Sequence, residues 1–296
     1  MKKILILPAF IISLSAFSQS ISVKEGNEKF STGSQNAVVT TIYENNANDV
    51  INEWKKILKD FKNEKVKEDN NEVFGDNIIV KDWGNNPVDF YTKFEENKSA
   101  KTVKMMVAVD LGGAYLSSSG DKSKYNFVEK MVKDFAVKQT KAPLEEAVKD
   151  AEKLLAKKED QQKDLEKDNK NLHDDIIDYN AKIRKAETDL VAKEGELVKK
   201  KSEVAVQKKV VEASSGAVNE QAKSSKKIYD KLEDQEKDLE KDKKDLKEDI
   251  EKYKGKIKDA EKDIKKNEEE QVKKKAEIDA QKKVVEGVSG KLKAVN

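Results

Sequence analysis

The feature that most constrains this chain is an internal duplication carried on a seven-residue apolar rhythm. From Leu165 the sequence reads LEKDNKNLHDDIIDYNAKIRKAETDL, and from Leu239 it reads LEKDKKDLKEDIEKYKGKIKDAEKDI. The offset of 74 continues without a gap to Gln207-Lys208-Lys209-Val210-Val211-Glu212 and Gln281-Lys282-Lys283-Val284-Val285-Glu286. More than half of the 52 aligned positions from 165 to 216 are identical, which chance similarity between two lysine-rich segments does not explain. In the first copy Leu144, Val148, Ala151, Leu155, Leu165, Leu172, Ile176, Tyr179, Ile183, Ala186, Leu190, Leu197, Val204 and Val211 fall on one a/d seam; in the second, Leu232, Leu239, Leu246, Ile250, Tyr253, Ile257, Ala260, Ile264, Ile278 and Val285 repeat it. An apolar period of 3.5 residues gives a left-handed coiled coil. The remaining positions are almost all Lys, Glu and Asp, so a lone helix would bury little and a partner helix is required.

That partner is present in the same chain. Ten heptads plus four residues separate the copies, so one unbroken rod would have to absorb a four-residue stutter near residues 214–218, whereas a fold-back at Ser214-Ser215-Gly216 removes the conflict. The expected arrangement is an antiparallel hairpin with an arm of roughly 105 Å, at about 1.5 Å per residue. Two registers satisfy a-against-d packing. Pairs whose numbers sum to 429 set Leu172 opposite Ile257, Ile176 opposite Tyr253 and Lys193 opposite Glu236; a sum of 436 sets Asn169 opposite Asn267 and Val148 opposite Val288, with Lys193 facing Lys243. The competing arrangement is a parallel dimer of continuous rods, which Asn169 at an a position favours and which Lys193 and Lys200 at d oppose.

Ahead of the repeats the composition changes. Thirteen of the eighteen aromatic residues lie between Phe30 and Phe135, both tryptophans among them, and only Tyr179, Tyr229 and Tyr253 follow. Bulky aromatics are the substance of a globular core, so residues 19–140 are expected to form an α+β head. Residues 36–43 (NAVVTTIY) are β-branched and read as a strand; Val50, Ile51, Trp54, Leu58 and Phe61 then share one helical face. Residues 77–82 (NIIVKD) read as a second strand, 88–96 as a short helix carrying Phe90, Tyr91 and Phe94, and 102–109 as an alternating strand whose Asp110-Leu111-Gly112-Gly113 turn leads into a partner strand at 114–118. A last helix holds Val128, Met131, Val132 and Phe135. The expected fold is a small antiparallel or mixed sheet with helices on one face, followed by the all-α hairpin.

Met1-Lys2-Lys3 precedes an apolar run over residues 4–17 and then Ala16-Phe17-Ser18, the pattern of a secretory signal cleaved after Ser18. The run is about fourteen residues, shorter than the roughly 20 of a membrane span, and Pro8 interrupts it. The expected divisions are therefore a signal peptide at 1–18, the head at 19–140, and coiled-coil helices at 141–216 and 217–296, in a periplasmic or secreted protein with no membrane span after cleavage. With no cysteine there are no disulfides, thiolate metal sites, thiol nucleophiles or cysteine-linked lipid. A net charge of +2 from nearly balanced acids and bases does not suit a nucleic-acid binder.

Groups for catalysis are scarce. The single histidine, His173, lies beside the seam among charged residues and reads as a surface side chain, and one histidine without cysteine excludes histidine-based zinc peptidases and Cys-His nucleophiles. Asp82, Asp89, Asp110 and Asp121 sit at turns or strand ends, where a glycosidase acid pair could stand, but turn aspartates ordinarily bond their own backbone. Gly112-Gly113 lacks the spacing of a phosphate loop, and Gly120-Asp121-Lys122-Ser123 lacks the alternating acids of a calcium loop. Tyr179 and Tyr253 occupy d positions and belong to the seam. No catalytic residue, metal or cofactor is assigned. The expected function is a non-enzymatic structural or interaction protein of the cell envelope, its head binding a protein partner or its coiled coil self-associating. The alternatives are a coiled-coil regulator of a peptidoglycan hydrolase, a self-assembling strut, or a carboxylate-dependent hydrolase in the head.

Overall fold

The computed structural model describes residues 20–214 and 220–296, so the expected signal peptide at 1–18 and the expected fold-back residues Ser215 and Gly216 lie outside the described residues. The elements are β1 (Val23–Phe30), β2 (Gly33–Tyr43), α1 (Ala47–Asp60), β3 (Lys65–Asp69), β4 (Glu72–Ile78), β5 (Val88–Asn97), β6 (Thr102–Asp110), α2 (Lys122–Ala213) and α3 (Glu220–Ala294). They fall into two compact units: the chain up to Lys157 together with Ile278–Asn296, and Lys158–Glu277.

In the first unit the six strands form one antiparallel sheet in the order β1-β2-β6-β5-β4-β3. Alternation decides its faces. Val38 and Ile42 of β2, Val103, Met105, Val107 and Val109 of β6, and Val88, Phe90 and Phe94 of β5 point to the helices and are buried. Helix α1 starts at Asn46, whose side chain accepts from the Asp49 N–H at 3.0 Å, and lays Val50, Ile51, Trp54 and Leu58 on that face. Trp54 is fully buried, its indole N–H donating to Thr92 Oγ1 at 2.8 Å and its ring meeting Phe135 of α2 edge-on at 5.0 Å.

Helix α2 passes through Pro143, whose missing N–H leaves the carbonyl of Gln139 without its usual partner. Asn45, in the turn before α1, supplies one: its Nδ2 donates to that carbonyl at 2.8 Å. Beside it the buried Thr140 hydroxyl accepts from the Tyr43 N–H at 3.1 Å. The last turns of α3 also enter the head core, with Val288 and Leu292 packed against it, Val295 buried, Lys291 paired with Glu44 at 2.9 Å and Ile21 N–H bonded to the Asn296 carbonyl.

Several local expectations change. Residues 88–96 form strand β5 rather than a helix: Phe90 and Phe94 fit either period, and pairing with β4 on one side and β6 on the other selects the extended one. After β6 there is no full partner strand, only a bridge from Asp110 to Tyr115, because the Asp110 carboxylate takes the N–H groups of Gly112 and Gly113, both at positive φ. The second expected strand lies earlier, as β4, and residues 81–83 are a 3-10 turn. Strands β1 and β3 were hidden by their charge, the ordinary dress of sheet edges.

In the second unit α2 and α3 pack antiparallel, giving the hairpin rather than a continuous rod. Ile183, Ala186 and Ile250 form its driest stretch, flanked by Leu190, Leu246, Tyr253 and Ile257. The ion pairs identify the register. Lys158–Glu277 and Lys193–Asp242 have numbers summing to 435, Lys243–Glu194 to 437, and Lys201 reaches both Glu240 and Glu236, at 441 and 437, which fits the arrangement centred on 436 and not that on 429. Its expected defect, Lys193 against Lys243, is relieved because each lysine turns to a carboxylate of the opposite helix, at 3.1 and 2.9 Å. Near the Lys158 and Glu277 end of this unit the seam is polar: Gln271 donates to Asn267 at 2.7 Å and stands 3.5 Å from Gln162.

Candidate functional site

Helices cover one face of the head sheet, and the other face is where side chains are free to meet a ligand. Ala37, Met106 and Ala108 point to it and are buried with Phe30 of β1 in a second, smaller cluster bordered by Val39, Tyr91 and Tyr115. The burial has a geometric cause. Strands β1 and β4 are separated in the sheet by β2, β6 and β5, yet Ser31, just after β1, donates from its N–H and its hydroxyl to Glu72 of β4 at 3.0 and 2.6 Å. The sheet therefore curls, carrying the β1–β2 turn over its own open face. Lys93 Nζ of β5, bonded to the Lys29 carbonyl at 3.2 Å, and Thr32 Oγ1, 3.3 Å from the Tyr115 hydroxyl, hold the turn from beneath.

Between this turn and the β3–β4 hairpin lies a cleft of about 680 Å³. Phe74 and Tyr91, neighbours across β4 and β5, form an aromatic pair with centroids 4.9 Å apart. Lys29, Lys67 and Lys93 stand around it with Asp69 and Glu72. Glu72 is engaged by Ser31, and Lys93 is shared between the Lys29 carbonyl and Glu95 at 3.0 Å. Burial, and then the nearby Asp89, push the Tyr91 phenol above its ordinary range, so it remains a neutral hydroxyl. An aromatic surface ringed by ammonium groups suits a ligand that offers a flat apolar face and negative charge.

The aspartates singled out from the sequence are not brought into this cleft. Asp89 receives the N–H of Asn77 at 2.9 Å, fixing the bulge where Asn77 has φ 54°. Asp110, opposite Asp89 across β5 and β6, is engaged by its glycine turn. Asp121 caps α2, accepting from the Lys124 N–H at 3.1 Å, and hydrogen bonds from Lys124 hold its carboxyl below the usual range. Asp82 lies in the 3-10 turn. His173 is exposed on the arm. Tyr179 and Tyr253 stack at 6.0 Å beside the seam core, with Lys182 and Lys256 each within 6 Å of both rings. Among the described residues no group of three or more His, Asp or Glu side chains is placed to hold a metal ion. Nor is any described helix long and apolar enough to cross a membrane.

Phe74, Tyr91 and Lys67 escaped the sequence reading because β3 was not anticipated, the strand that became β4 was placed later, at 77–82, and β5 was read as helix. Alternation through Val73-Phe74-Gly75 and Phe90-Tyr91-Thr92 was the available signal. No protein-family model, curated protein or solved structure matches the chain.

Proposed function

We propose that this protein is an exported, non-enzymatic interaction protein of the cell envelope, periplasmic or released, whose head binds an anionic ligand with an apolar face while the hairpin arm serves as spacer and docking surface. The observation that carries the reading is the open sheet face. Where a second helical layer would make a closed sandwich, the chain leaves Phe74 and Tyr91 accessible and surrounds them with Lys29, Lys67 and Lys93. The N-terminal signal pattern supports export. The non-enzymatic reading is supported by Asp89, Asp110 and Asp121, whose carboxylates are each taken up by backbone N–H groups.

The test is binding of residues 19–296 to arrays of acidic and neutral polysaccharides and of acidic and neutral peptides. We expect retention on acidic members, weakened at least tenfold by Tyr91→Ala or Lys67→Glu. Equal retention on neutral members, or hydrolysis of any bound glycan or peptide, would remove the reading. Export is tested separately by sequencing the N-terminus of protein made in the native cell, with Gln19 expected first.

A further inference from the structure

Away from the seam, α2 carries a second row. At positions 177, 181, 184, 188, 191, 195, 198, 202 and 205, spaced alternately by four and three residues, α2 bears one charge, Arg184; the nine matching positions of α3, 74 residues on, bear six. All eighteen positions are exposed within the hairpin, so the duplication supplies its own control. Solvent accounts for the charged set in α3 and leaves the uncharged set in α2 without a reason inside the chain. Ile177, Val191 and Val198 are 65%, 70% and 70% exposed. Thr188 already spends its hydroxyl on the Arg184 carbonyl at 2.9 Å. Gly195 is a costly residue for mid-helix, yet a methyl group added there would meet nothing within 4 Å. Gly255 of α3 is equally open, but it stands between Glu251 and Lys258 rather than between apolar residues.

We propose that this row is the docking face for a second copy of the same chain, α2 against α2 in antiparallel orientation. The occupant follows from the order of sizes. Larger side chains at 177, 184, 191 and 198 interleave with small ones at 181, 188, 195 and 202. Antiparallel pairing sets one series against the other, so Ile177, Arg184 and Val198 each lie over a small residue, and only Val191 meets one of its own size, Thr188. Parallel pairing would set Gly195 on Gly195 and leave a void. One antiparallel register lays Val191 over Thr188, Val198 over Ala181 and Ile177 over Ser202 of the second copy, and brings Asp178 against Lys199. In this register the overlapping part of the row, 177–202, is about 38 Å long, and a helix about 10 Å wide buries roughly 750 Å² in total along it. That is below the roughly 1,200–2,000 Å² of stable complexes, so the dimer is weak and reversible, with a dissociation constant on the order of 10 μM.

The test uses residues 19–296 at about 1 to 500 μM, a range that brackets that affinity, with mass measured by sedimentation equilibrium. The mass is expected to rise to that of two chains, and Val191→Glu with Val198→Glu to weaken association at least tenfold with helical content and melting unchanged. Because the chain has no cysteine, orientation is read directly: Ile177→Cys mixed with Ser202→Cys gives disulfide-linked pairs, and neither alone does. A monomer across the range, dimers indifferent to the glutamates, or self-linking of Ile177→Cys alone would each overturn the proposal.

Discussion

The head and the arm hold together by different means. In the head, Trp54, Phe90 and Phe94 are buried almost without residue, and the polar groups among them are individually answered: the Trp54 indole by Thr92, the Gln139 carbonyl by Asn45. In the arm, the driest seam residues, Ile183, Ala186 and Ile250, still keep 6–8% of their surface. There, half-buried lysines paired with carboxylates of the opposite helix flank the seam. A sheet layered with helices can hold a surface of fixed shape for a ligand, whereas a two-helix seam spreads small contributions along its length and tolerates polar residues within it.

This contrast can be broken at its strongest point first. Trp54→Ala should cost about 3–5 kcal/mol in urea unfolding followed by tryptophan-independent circular dichroism. Ile183→Ala should cost about 2 kcal/mol, the lower part of the range for such truncations, and should loosen amide protection in the arm without exposing head amides. Equal protection loss in both units would show that the contrast is wrong. Asn45→Ala should cost about 1–2 kcal/mol by leaving the Gln139 carbonyl unanswered. In a Pro143→Ala background the penalty should shrink, since the restored N–H of residue 143 reaches the same carbonyl. An unchanged penalty would mean that Asn45 acts through something else.

A smaller effect appears at high pH. Burial, then Glu25 and Glu129, raise the Tyr125 phenol from 10.0 to about 12. A raised folded-state value favours the protonated form, so its contribution is intact below pH 10 and is lost as pH rises toward 12. Tyr125→Phe should flatten that limb of the stability profile. The smallest effect belongs to the arm's crossed pairs: Lys193→Gln with Lys243→Gln should remove part of the salt dependence of arm protection while leaving the register unchanged.

The seam was legible from end to end because a 3.5-residue period repeated over two copies has few competing explanations, and the fold-back followed from the four residues by which 74 exceeds ten heptads. Choosing between the two registers was beyond the pattern. Both place apolar residues a against d, and the pairs that reveal the register, such as Lys243 with Glu194, depend on which way long side chains turn. In the head, helix α1 and strands β2 and β6 announced themselves by period. Strand β5 did not, since Phe90, Tyr91 and Phe94 satisfy helical spacing until β4 and β6 are in place beside them. The cleft was lost with it. Its walls come from β1, β3, β4 and β5, and only the curl that brings Ser31 to Glu72 makes them neighbours.

The most direct test of the hairpin is a distance between spin labels on Lys201→Cys and Glu236→Cys in one chain, diluted with unlabelled protein. The antiparallel pairing predicts backbones about 10 Å apart, the spacing of packed helices, unaffected by dilution. A distance of about 50 Å, the span of the intervening residues in a continuous helix, would contradict it.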